Sequence, residues 1–154
     1  MKIEEAIQQK QFSNAFQKAH VNILFTAAAL SQQTSMALKP YRLTVQQFNI
    51  LRILRGRYPE PMTIKDLTSR MLDKMSNASR LVDKLIEKGL VVRNTCPDDR
   101  RRVDVVISKT GLQVLTQASA AVENMYELAQ QQLTEEEALL LSDLLDKVRM
   151  DESI

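Results

Sequence analysis

The sequence predicts a mostly α-helical protein, with a winged helix-turn-helix lobe in the middle and long helices at both ends. Three observations predict it. Apolar residues recur with helical periodicity through both ends of the 154-residue chain. The β-prone runs at residues 90–93 and 103–107 flank the turn-forming stretch CPDDRRR and follow two closely joined helical segments. Three glycines and four prolines leave few interruptions, and 44% apolar residues suffice for a real core.

Phe12, Phe16, Ala19, Ile23, Ala27 and Leu30 recur at three- and four-residue spacing, which predicts a long amphipathic first helix ending before Pro40. Thr44-Val45-Gln46-Gln47 has the form of a capping box, and Phe48, Leu51 and Leu54 then define a second helix ending near Gly56. Beyond Pro59 and Pro61, Thr63 is the expected N-cap of a short third helix with Ile64, Leu67 and Met71 turned inward. A fourth helix follows the junction at residues 71–74 and runs to Lys88, where Gly89 suits the left-handed residue that ends it. Its expected core face is Met75, Ala78, Val82 and Leu85 or Leu81. Two helices joined so tightly, the second amphipathic and basic, read as a helix-turn-helix, and the hairpin after them as its wing.

Ser108 is the expected N-cap of a fifth helix that reaches about Leu133, roughly 36 Å at about 1.5 Å per residue. It bears two apolar series: Leu112, Leu115, Val122, Tyr126, Ala129 and Leu133, and offset from it Val114, Ala118, Ala121, Met125 and Leu128. Burial on two sides requires other helices as neighbours, which one subunit of this length supplies poorly. Thr134-Glu135-Glu136-Glu137 is another capping box, and Leu140, Leu141, Leu144, Leu145 and Val148 stripe a sixth helix. The expected organisation is therefore an N-terminal dimerisation helix at residues 1–38, a winged lobe at 39–111 and C-terminal dimerisation helices at 112–154.

The net charge of +2 conceals a division. Residues 39–111 hold 16 Lys/Arg against 8 Asp/Glu, whereas 112–154 hold 2 against 9. A basic middle and an acidic tail fit a polyanion met by one lobe only. On the fourth helix Ser76, Asn77, Ser79, Arg80 and Lys84 fall on the outward side. Such residues commonly do no more than solvate a surface helix. Together with the preceding short helix and the basic hairpin, they are expected to form the face of a recognition helix for the major groove of double-stranded DNA, where arginine can grip guanine and asparagine adenine. Thr63, Lys65 and Lys74 complete the expected set from the third helix and the junction. At the wing tip Arg100, Arg101 and Arg102 are expected to approach phosphates or a narrow minor groove, while Asp98 and Asp99 offset their mutual repulsion and brace the turn.

The stretch DRRRVDVVISKTG, from Asp99 to Gly111, resembles the D-x-R-x-x-x-V-x-L-T-x-x-G wing signature of MarR-type transcriptional regulators, with Ile107 and Ser108 at the L and T positions. Upstream, SRLVDKLIEKGLV, beginning at Ser79, resembles their recognition helix and strand entry, and the order of elements matches from about Phe12 to Val148. The resemblance implies a homodimer of triangular outline whose winged lobes grip a pseudo-palindromic operator, with Arg101 in the minor groove, Asp99 bracing it, and Ser79 and Arg80 in the major groove. It also implies repression, released when a small aromatic or anionic effector settles between the DNA lobe and the dimer helices.

Catalysis is not expected. His20 is the sole histidine and reads as an ordinary helix or interface residue; no Cys/His cluster marks a metal, no glycine-rich loop a phosphate, and no cofactor is implied. Two alternatives remain beside the DNA reading. One is a dimeric winged-helix module that binds an acidic protein. The other is a redox-responsive regulator using Cys96, whose thiol pKa the neighbouring Arg93 and Arg100 could lower; against it, the residue suits a plain small strand position, and peroxide-sensing members of the resembled family generally carry their cysteine near the first helix. The longest near-apolar run, residues 23–30, is far too short to span a membrane, the first residues are polar and unlike a signal peptide, and the single cysteine forms no internal disulfide, so a cytoplasmic location is expected.

Overall fold

A computed structural model of the chain describes residues 1–95 and 103–149. A single helical turn, α1 (Ile3–Ala6), buries Ile3 and is held to the next helix by a Lys18–Glu4 ion pair of 2.5 Å. Asn14 then caps α2 (Ala15–Leu38), its Oδ1 accepting from the Gln17 amide at 2.9 Å. The helix thus starts after Phe12 rather than at it, and Pro40 closes it within the 3₁₀ turn Lys39–Tyr41. The expected apolar stripe is largely uncovered: Phe16 is 87% exposed, and Leu24, Phe25, Leu30 and Met36 also face outward.

The capping box of α3 (Val45–Arg57) forms in both directions: the Gln47 amide donates to Thr44 Oγ1 at 3.1 Å and the Thr44 amide to Gln47 Oε1 at 3.2 Å. Next come β1 (Met62–Thr63) and α4 (Ile64–Arg70), with Thr63 Oγ1 accepting from the Asp66 amide at 3.1 Å as N-cap. Leu67 and Met71 are buried as expected; Ile64 is half-buried. Then follow α5 (Ala78–Glu87), β2 (Val91–Thr95), β3 (Val103–Ile107), α6 (Lys109–Gln130) and α7 (Glu135–Val148). The three antiparallel strands lie in the order β1-β3-β2, with Val91 opposite Ile107 and Thr95 opposite Val103 in the long ribbon. The pairing of Met62 with Val105 is unforeseen in the sequence because two residues carry no alternation to read.

Two glycines place the ribbon. Gly89, at φ +70°, ends α5 in a Schellman arrangement: its amide donates to the Ile86 carbonyl at 2.8 Å and that of Leu90 to the Leu85 carbonyl at 2.9 Å. Ser108 caps α6 by accepting from the Gly111 amide at 2.9 Å, and its hydroxyl donates to the Gly89 carbonyl at 2.7 Å. Strand entry and exit are thereby tied to one hydroxyl. The core runs from Leu38 through Leu51, Leu67, Leu85 and Ile107 to Val122, so helices, turn and ribbon share one apolar interior.

Two expectations about faces are corrected. Met75 is not in the core but 94% exposed, because α5 begins only at Ala78; Ala78, Val82 and Leu85 are buried as expected. On α6 the buried residues are Leu115, Ala118 and Val122, drawn from both apolar series and forming one face at three- and four-residue spacing against α2 and α3. Val114, Ala121 and Met125 are half-buried, and the helix stops at Gln130 rather than Leu133. The side chains of Tyr126, Leu128 and Ala129 lie outside the described structure. Thr134 caps α7 in a two-way box with Glu137, yet Leu140, Leu141, Leu144 and Val148 are exposed and Leu145 half-exposed.

Candidate nucleic-acid interface

The turn between α4 and α5 is built around Asp73. Its Oδ1 accepts from the Met75 amide at 3.0 Å and its Oδ2 from the Ser76 hydroxyl at 2.7 Å. The Ser76 hydroxyl first, then the Met75 amide, with a smaller contribution from the Gln46 side chain, hold the Asp73 carboxyl below the usual carboxylate range. Upstream, the Leu72 amide donates to Asn49 Oδ1 of α3 at 3.0 Å. Downstream, Asn77 caps α5, its Oδ1 accepting from the Arg80 amide at 3.1 Å. Ser76 and Asn77 therefore stand just ahead of α5, as a turn residue and its cap. The cap engages Asn77 Oδ1, one of the two groups that a bidentate contact to adenine uses, and leaves the residue exposed at the start of the helix.

Ser79, Arg80 and Lys84 are exposed along α5, while Ala78, Val82 and Leu85 are buried in the core. Lys65 is exposed in the first turn of α4 and Lys74 in the junction; Thr63 is half-buried and its hydroxyl is spent on the cap. The structure thus brings Lys74, Ser79, Arg80 and Lys84 together on the turn and helix. Asp98, Asp99, Arg100, Arg101, Arg102 and Cys96 lie outside the described residues. The ladder of β2 and β3 continues to the Thr95–Val103 pair.

Two fixings of this face escaped the sequence reading. Arg93 of β2 pairs with Asp83 of α5, joining wing and helix. At the far end of α5, the Lys88 ammonium donates to the Arg42 carbonyl at 2.6 Å and to Gln47 Oε1 at 3.1 Å, and so pins that helix to the start of α3. Desolvation, then the charges of Arg42 and Lys84, push the Lys88 pKa down. Partners 10, 46 and 41 residues away leave no local pattern to detect. A buried glutamine inside a capping box was the one available hint.

Between α3 and α6 lies a cleft lined by Phe48, Arg52, Arg55, Ser119, Val122 and Glu123. The Arg52 guanidinium stands 5.9 Å from the centre of the Phe48 ring. Among the described residues, Ser119 Oγ is buried without a hydrogen-bond partner. Among the described residues, no group of three or more His, Cys, Asp or Glu side chains could hold a metal ion, and no helix is long and apolar enough to cross a membrane.

A short helix, a turn held by hydrogen bonds, a capped amphipathic helix and a β-ribbon, all seated on one core, define a winged helix-turn-helix protein. Residues 43–103 match the model of the MarR family. The chain is 28% identical over 110 residues to the homoprotocatechuate degradative operon repressor of Escherichia coli, covering 71% of this chain and 73% of that one. Among solved structures it resembles a Cys-to-Ser mutant of MarR from E. coli complexed with operator DNA (25% identity, TM-score 0.76, 90% of this chain and 100% of the other). It also resembles NadR in complex with 4-hydroxyphenylacetate (25% identity, TM-score 0.69, 93% and 99%). Across its winged lobe the chain is thus similar to DNA-binding transcriptional regulators of the MarR family.

Proposed function

We propose that the protein acts in the cytoplasm as a homodimeric repressor of a pseudo-palindromic operator and leaves the DNA when a small aromatic anion binds. One observation carries the docking: α5 is sunk in the core along Ala78, Val82 and Leu85 while Ser79, Arg80 and Lys84 stay exposed behind a prearranged turn. In this reading Ser79 and Arg80 meet base edges. Lys65, Lys74 and Lys84, with Arg100, Arg101 and Arg102 of the wing, neutralise phosphates or enter the minor groove, and Asp98 and Asp99 brace the tip. Thr63 contributes through the α4 cap it forms. Dimerisation at residues 1–38 and 112–154 is supported by the exposed leucines of α7 and by Phe16, Leu24 and Leu30 of α2, a set of apolar groups that a lone subunit leaves in water.

The α3–α6 cleft suits the effector. Arg52 and Arg55 supply positive charge, Phe48 and Val122 an apolar wall, and Ser119 a hydroxyl awaiting a partner. Its volume of about 50 Å³ is less than the roughly 150 Å³ that admits benzene, so a ring enters only as α3 and α6 part, which moves α3 beneath the recognition turn. Repression fits the relative whose name describes an operon repressor, and an aromatic carboxylate fits the one solved with 4-hydroxyphenylacetate.

Titration of a duplex selected from a random-sequence pool tests the docking. Arg101→Ala should weaken binding to every sequence variant, whereas Arg80→Ala should also relax base preference at one position in each half-site, by roughly 1–3 kcal/mol of lost discrimination. Unchanged affinity in both variants would sink it. For the effector, a panel of aryl carboxylates should raise the melting temperature and displace DNA, and Arg55→Ala should abolish both effects.

A further inference from the structure

We infer that Leu72 and Met75 are specificity-determining residues that read thymine methyl groups in the major groove. The inference rests on the DNA docking proposed above and adds an apolar element to it. Leu72 is 85% and Met75 94% exposed, the two most exposed large apolar side chains among the described residues of the winged lobe. They are not left out by loose backbone. The Leu72 amide is held by Asn49 Oδ1, the Met75 amide by Asp73 Oδ1, and the Ser76 hydroxyl by Asp73 Oδ2. A turn so anchored projects both side chains into solvent just ahead of the Asn77 cap, where a recognition helix presents its first residues to base edges.

The chemistry selects the occupant. Lys74, Ser76, Ser79 and Arg80 flank the pair in sequence, a polar and cationic setting that suits a polyanion. On the floor of a major groove the one apolar feature that differs between bases is the C5-methyl of thymine. Leucine and methionine match it in polarity, and methionine, unbranched and polarisable, adapts to its position. Serine and arginine then report on hydrogen-bonding edges while Leu72 and Met75 report on methyl groups, two kinds of discrimination from one turn.

Replacing thymine by deoxyuridine removes that methyl and leaves base pairing intact. The probe is the tightest-binding duplex selected from a random-sequence pool, in its thymine and deoxyuridine forms, titrated with wild-type protein, Leu72→Ala, Met75→Ala and Met75→Leu. The wild type should lose affinity about fourfold for each methyl group it reads. Met75→Ala or Leu72→Ala should show a similar loss on the thymine duplex and little further loss on the deoxyuridine duplex, and Met75→Leu should restore most of the discrimination. Since both side chains are exposed, all variants should melt at the wild-type temperature. Equal wild-type affinity for the two duplexes, or losses that simply add in the variants, overturns the inference while leaving DNA docking intact. Absence of wild-type binding to either duplex removes the docking itself.

Discussion

A Cβ built on Gly111 would lie 2.1 Å from the Leu90 carbonyl oxygen and 2.8 Å from the Ile107 side chain, and the first of these is backbone that cannot swing aside. Gly111→Ala should therefore destabilise the fold by about 3 kcal/mol, read as a fall in urea midpoint, since it forces the start of α6 away from the β2 entry. Gly56 is the control: a methyl group there would meet no atom within 4 Å, and the residue sits inside α3, so Gly56→Ala should stabilise by about 0.5–1 kcal/mol. Asp73 supplies a pH-dependent case. Its folded pKa is depressed, so the order it confers on the turn is present above its unfolded pKa, about 3.9, and is lost as pH falls through the folded value. Carboxyl NMR titration should find Asp73 among the last carboxylates to protonate, and Asp73→Ala should weaken DNA binding near neutral pH with little change in melting temperature. A shift at the ordinary aspartate position would contradict the turn geometry.

Among the elements, helix starts were legible wherever the cap is local. Thr44, Thr63, Ser108 and Thr134 each bond an amide three residues on, and each was readable from its own few residues. The start of α5 was not. Met75, Ala78 and Val82 stand at helical spacing, so periodicity alone admits Met75 to the helix, whereas Asp73 and Asn77 both divert the chain into a turn and a cap. The wing is tied to α5 through Arg93 and Asp83, a pair about half exposed on both sides and so worth at most about 1 kcal/mol. Arg93→Ala should leave the melting temperature within a degree or two, on the order expected for so small a loss. It should nonetheless weaken operator binding, because the ribbon loses its angular reference to the recognition helix. Asp83→Ala should behave alike, and the double variant should add little to either.

At the scale of the whole molecule, the described core extends from Leu38 to Val122 and leaves the apolar faces of α2 and α7 in solvent. Leu140→Glu with Leu144→Glu should convert a dimer to a monomer by sedimentation, preserve the circular dichroism of the lobe, and cost most of the operator affinity by uncoupling two half-sites. Wild-type binding should also fall log-linearly with salt at a slope near −0.9 per phosphate neutralised. A monomeric wild type would defeat the dimer, and a salt-insensitive complex would defeat the phosphate contacts.

What the sequence by itself determined is whatever acts over a few residues: the caps of α3, α4, α6 and α7, the left-handed stop at Gly89, the order of helix, turn, helix and ribbon, and the exposed Arg80 and Lys84. Each follows from hydrogen-bonding or steric chemistry that adjacent residues complete among themselves. Only the tertiary structure decided that Met75 faces water, that one face of α6 draws on both apolar series, that β1 joins the sheet, and that Lys88 anchors α5. Those outcomes depend on partners such as Asn49 for Leu72, 23 residues apart, and Arg42 for Lys88, 46 residues apart. A donor and acceptor so distant along the chain meet only once the core has brought their elements together.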